Sequence, residues 1–167
     1  MFDPTTFDNL KVILEGYVYD LDLDNVIVVT DRSDLVNLAT MSRSFSISFK
    51  LPIENPTPTV KIQLEMIHEQ LSGELLGKLE HPGCRVKIKI YEVKESSSID
   101  EILVERLKRI WGKSYDLKLY VTQQIPENRF HHQYSLETLM LVLEVDGEIL
   151  LNMVEYAMDS IKLLSQE

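Results

Sequence analysis

The chain is short of several things at once, and each shortage removes a class of protein. It has one cysteine, Cys84, so no intrachain disulfide forms and the sequence is not a disulfide-stapled scaffold. Six glycines and six prolines in 167 residues, with no G-x-G-x-x-G and no low-complexity tract, exclude collagen-like sequences and the usual dinucleotide site. The longest strongly apolar run, Leu139 to Leu143, is far shorter than the roughly twenty residues a helix needs to cross a bilayer. Cations are scarce, with 17 Lys and Arg against 27 Asp and Glu and a net charge of −10. Nucleic-acid backbones and anionic membranes attract concentrated positive charge, so neither is expected as the main partner. Met1-Phe2-Asp3-Pro4 lacks the basic and apolar regions of a secretory leader, and a cytoplasmic location is expected.

What is present is ordinary for a globular protein: 44% apolar and 26% charged residues. A chain of this length buries about 70% of its extended surface, so residues 1–167 are expected to fold as a single globular α+β domain. Two alanines stand beside 14 valines and 14 isoleucines. Branching at Cβ suits a pleated surface better than a helix, so a substantial sheet is expected.

The segments Leu10–Leu21 and Val26–Thr30 read as a hairpin closed near Asp22 to Asn25, although Phe7, Leu10, Leu14 and Tyr17 also share a helical face. Ser33 to Met41 reads as a short helix with Ser33 as its cap. The clearest strand is Ser44–Leu51, where Phe45, Ile47, Phe49 and Leu51 alternate with Ser46, Ser48 and Lys50. Val60 to Met66 alternates again, although Val60, Leu64, Ile67, Leu71 and Leu75 also share a helical face; the strand reading gives way to a short helix around His68 to Leu79, and Val86 to Tyr91 is a further strand. Ser98-Ile99-Asp100-Glu101 has capping-box spacing, so a helix through Ile102, Leu103, Leu107 and Ile110 is expected to begin there and stop at Gly112. A strand at Leu117–Val121, a polar loop from Gln123 to Gln133, and a last helix burying Leu150, Met153, Ala157, Ile161 and Leu164 complete the pattern. The fold expected is a largely antiparallel sheet of about seven strands with about three or four helices packed mainly on one face. The stretch from Val86 through the capped helix to Val121 also fits a parallel crossover.

No motif carries a specific chemistry. Asp20-Leu-Asp22-Leu-Asp24-Asn25 resembles the opening of a calcium loop, but Asn25 stands where the sharp turn requires Gly, and a solvated hairpin turn explains it better. Gly112-Lys113-Ser114 follows a helix, whereas phosphate is held by a helix that begins, so Gly112 reads as a C-cap. His81 and Cys84 have half-site spacing for zinc, with His131 and His132 in reserve. One thiolate and two adjacent histidines that point to opposite sides do not complete it, and no metal or cofactor is expected. Lys87, Lys89 and Tyr91 share one strand face, where cations also guard against unwanted strand pairing.

The charge that remains unexplained lies at the C-terminus, where Glu148, Glu155 and Asp159 fall opposite the apolar stripe of the last helix. The leading expectation is therefore a non-enzymatic interaction or regulatory protein that uses this acidic surface to hold a partner with a basic surface, with pairing of two copies as a further option. The alternative is a small cytosolic enzyme or small-molecule binder with a polar pocket near residues 129–132, drawing on His81, Cys84, Arg129, His131 and His132.

Overall fold

Alternating side chains and two amphipathic helices decide the architecture. A computed structural model describes residues 5–54 and 56–166; the leader-peptide reading at Met1–Pro4 falls outside them. Among the described residues there are seven strands: β1 Val28–Asn37, β2 Ser42–Lys50, β3 Thr59–Met66, β4 Gly83–Lys94, β5 Tyr115–Gln124, β6 Arg129–Thr138 and β7 Val142–Leu143. They form one antiparallel sheet in the order β1-β2-β3-β4-β6-β5, with β7 paired to the first residues of β4. Four helices accompany it, α1 Thr6–Leu23, α2 His68–Leu75, α3 Glu101–Trp111 and α4 Glu148–Ser165, with a 3-10 turn at Glu144–Asp146. The fold is α+β with the long helices on one face, as the patterning predicts.

The register shows why one face is dry. Phe45, Ile62 and Leu64 of β2 and β3 and Val86 and Ile88 of β4 line up across neighbouring strands and are fully buried. Leu10, Leu14 and Val18 of α1 and Met153, Ala157 and Ile161 of α4 cover them, also with no exposed surface. Each such side chain contributes about 1.5–3 kcal/mol by leaving water. Trp111 ties α3 to the same layer, its Nε1–H donating to Ser160 Oγ of α4 at 2.9 Å. A row of ions seals the margin between α1 and the sheet: Arg43 with Asp8 at 2.9 Å, Lys11 with Asp34 at 2.5 Å and Arg32 with Glu15 at 2.6 Å.

Four local expectations are corrected. Leu10–Leu21 is helix rather than strand, because Phe7, Leu10, Leu14 and Val18 make a continuous buried stripe and Thr5 caps it by accepting from Asp8 N–H. Burial of that stripe outweighs the modest helix propensity of Val and Ile. Ser33–Met41 is strand and turn rather than helix: Ser33 pairs with Ser46, and the Asn37 side chain accepts from Ala39 and Thr40 N–H to close the turn. The loop expected from Gln123 to Gln133 shrinks to residues 125–128, with Asn128 at φ 53°, because β5 and β6 pair as far as Gln124 and Arg129. The cap of α3 is Asp100, not Ser98; its Oδ1 accepts from Ile102 N–H at 2.9 Å and Leu103 N–H at 3.2 Å. The crossover from β4 through α3 to β5 leaves those strands pointing the same way, with β6 between them.

The cap assignment is directly testable. Asp100→Ala is expected to cost about 1 kcal/mol in denaturant titration, while Ser98→Ala stays within about 0.5 kcal/mol of wild type. A larger loss from the serine variant would return the cap to Ser98.

Candidate functional site

The residues proposed for a pocket do not meet. Cys84 is the second residue of β4 and is fully buried, whereas Glu92, eight residues further along the strand, pairs with His132. At about 3.3 Å per residue the thiol and the histidines lie at opposite ends of the sheet, about 26 Å apart. His131 and His132 point to opposite faces. His131 is exposed, with Nε2 2.6 Å from Gln124 Oε1, while His132 is 1% exposed with Nε2 2.9 Å from the Ser96 carbonyl oxygen. Arg129 is exposed at the start of β6, and His81 sits in the exposed loop before β4. Among the described residues no three His, Cys, Asp or Glu side chains converge as a metal site. Asp20 and Asp22 belong to the last turns of α1 rather than to a hairpin turn, and Asp22 Oδ1 accepts from Val29 N–H at 3.4 Å. Gly112 ends α3 at φ 77°, as a C-cap should.

The uncovered face of the sheet carries mixed charge. Lys87 and Lys89 of β4 lie on it, with Lys87 3.4 Å from Glu65. Arg85 is 3.4 Å from Glu137 and Lys118 3.4 Å from Asp116. Lys61 and Lys89 face one another across β3 and β4. Much of the local basic surplus is thus answered by acids on the same face.

The helical layer differs. Along α1, the 3-10 turn and α4, nine Asp and Glu stand against two Lys. Glu148, Glu155 and Asp159 are exposed on α4. Glu155 also has a structural duty: it accepts a hydrogen bond from Tyr17 Oη of α1, which pushes the Tyr17 hydroxyl up to about 12. Asp20 is exposed on the neighbouring helix and Glu144 on the turn that precedes α4. Reading Leu10–Leu21 as strand hid this continuity, although the spacing of Phe7, Leu10 and Leu14 held the signal.

Neither protein-family models, nor curated proteins, nor solved structures show a match to the chain.

The burial of Cys84 generates a prediction. Burial, with a smaller contribution from the charge of Glu74, raises its thiol from the usual 9.0 to about 12. The folded state holds the proton more tightly than the unfolded state, so this stabilisation is complete below about pH 9 and is lost as pH rises towards 12. Cys84→Ala is expected to show a shallower alkaline decline in stability than wild type. Iodoacetamide at pH 8 should leave the native thiol unmodified and label it on unfolding; rapid labelling of native protein would show Cys84 to be accessible.

Proposed function

We propose that this is a cytoplasmic, non-enzymatic interaction or regulatory protein that holds a basic protein partner on its acidic helical layer. The observation that carries the reading is the segregation of charge. Acids gather on α1, the 3-10 turn and α4 with two lysines among them. Asp8 and Glu15 are answered by Arg43 and Arg32 at the sheet margin, but among the described residues Asp20, Glu144, Glu148, Glu155 and Asp159 have no ion pair, while the opposite face pairs its acids with Lys and Arg. Like charges four residues apart, as at Glu155 and Asp159, cost a helix a few tenths of a kcal/mol. A positive partner removes that cost, accelerates encounter and makes binding sensitive to salt. Two copies of the chain present like charge to each other on this layer, so a symmetric pair has to use another surface.

Glu155 is a poor choice for testing the surface, because its reversal also breaks the tie to Tyr17. Glu148→Lys with Asp159→Lys changes two exposed charges and leaves that bond intact. The double variant is expected to retain several-fold less partner at low salt, with the difference vanishing in high salt, and to melt slightly below wild type, because Glu148 stands in the first turn of α4, where a carboxylate is favoured over a cation. Equal retention at both salt concentrations would leave the acidic layer with no role beyond solubility.

A further inference from the structure

The sheet ends differently on its two sides. At one edge β1 is guarded against further pairing: its register shifts between Val29 and Asp31, and Asp34 and Arg32 reach back to Lys11 and Glu15 of α1. At the other edge β5 pairs with β6 from Tyr115 to Gln124 without a shift and contains no proline or glycine. Every second residue of β5 turns its N–H and C=O away from β6, and among the described residues no strand takes them up. The two charges of β5, Asp116 and Lys118, stand 3.4 Å apart and cancel. On the helical side Tyr115, Leu117 and Leu119 touch the core but stay half-buried.

A second copy of β5 fits this edge, and charge selects how. An antiparallel pair related by a dyad normal to the sheet sets side chains of the same face opposite one another, so the dyad falls on a residue of the strand. At Asp116 it would oppose two carboxylates, and at Lys118 two ammonium groups. Only at Leu117 does it set Asp116 of each copy opposite Lys118 of the other, so that four charges alternate in sign around the axis. Leu117 then meets its counterpart, and Tyr115 meets Leu119. The helix α3 points to the same axis. It joins β5 through residues 112–114, and its 11 residues, about 16 Å long, run back over about five residues of the strand, centred near Leu117. A dyad there lays two α3 helices antiparallel and fully overlapped. Glu101, in the first turn, comes alongside Arg109 and Lys113 of the other copy, which line a groove of about 570 Å³ beside Tyr115 and Leu117. Lys108 and Glu105 are already matched within the helix, whereas among the described residues Glu101, Arg109 and Lys113 have no ion pair.

We infer that two copies of the chain join β5 to β5 about a dyad at Leu117, giving one continuous antiparallel sheet across the pair. The dyad keeps both helical layers on one side of that sheet, so the two acidic layers lie side by side and stay open to a partner. The pairing is independent of the acidic-layer reading and uses none of its residues.

Sedimentation at rising concentration tests the pairing. Wild type is expected to pass from 19.3 kDa to twice that mass, with a Kd of about 10 µM or below. Asp116→Lys and Lys118→Asp, each alone, place four like charges around the axis and should weaken the dimer at least about tenfold. Mixed in equal amounts, the two variants restore opposite charges across the axis, and their heterodimer should form at wild-type strength. Both positions are exposed, so each variant should melt close to wild type. Hydrogen exchange gives a second reading that needs no substitution: amides of residues 114–120 slow as wild type is concentrated, and those of β1 do not. A monomer at all concentrations up to about 1 mM, a dimer indifferent to both substitutions, or a mixture no stronger than its components overturns the inference. So does concentration-dependent protection of β1 or α4 in place of β5. Protection of β5 that appears only with an added protein would give the edge to another chain and overturn it too.

Discussion

Everything in this structure depends on covering one face of a six-strand-wide antiparallel sheet with two long helices. Leu10, Leu14 and Val18 from one helix and Met153, Ala157 and Ile161 from the other lose all contact with water against Phe45, Ile62, Leu64 and Ile88. Side chains alternate along each strand, so the same register that sends these residues inward sends Lys61, Gln63, Lys87 and Lys89 outward. A one-residue slip in any central strand would exchange the two sets, which fixes the pairing more firmly than any hydrogen bond. The uncovered face is the consequence of this two-layer arrangement. It stays wet because its charges are balanced: Glu65 meets Lys87 and Glu137 meets Arg85.

The same packing makes the acidic layer affordable. Exposed side chains of α1 and α4 are free to carry one sign of charge because the buried stripe, at about 1.5–3 kcal/mol per large apolar side chain, outweighs like-charge repulsion of a few tenths per pair. Cross-helix contacts moderate the repulsion further, as where the Tyr17 hydroxyl donates to Glu155. The margin facing β1 is treated differently. There Lys11, Arg32 and Arg43 answer Asp34, Glu15 and Asp8 one for one. Asp34 still ionises below the ordinary carboxylate range, since Lys11 and Arg43 outweigh the opposing effect of burial. The chain thus pairs charge where α1 meets the sheet and leaves it unpaired where α4 meets solvent.

Strict alternation was legible in Ser44–Leu51, where period two has no competing interpretation; Val60–Met66 alternates as well, but Val60, Leu64, Ile67, Leu71 and Leu75 also share a helical face, and pairing with β2 and β4 decides for strand. The helix from Glu101 was legible in extent, but its cap was displaced by two residues: Ser98 and Asp100 both precede an acidic first turn, and only geometry chooses between them. Leu10–Leu21 misled because Val and Ile favour sheet locally while the buried stripe is set by tertiary contact. Ser33–Met41 misled because an edge strand needs no alternation when so little of it is covered, and every residue of β1 is exposed or half-buried. Of the candidate site, the charge of Glu148, Glu155 and Asp159 was legible from helical spacing. The run from Leu139 to Leu143 reads as core in the sequence, yet Val142 alone of the five is buried, because the chain turns there from β6 into β7.

The measurement that bears most directly on a protein acting through its surfaces is hydrogen–deuterium exchange on the chain alone and in complex with the partner it retains. Slowed exchange is predicted along α4 and the neighbouring turns of α1, with no change at residues 91–95 and 129–132. Protection confined to those last two segments, where the alternative small-molecule pocket would lie, would contradict it.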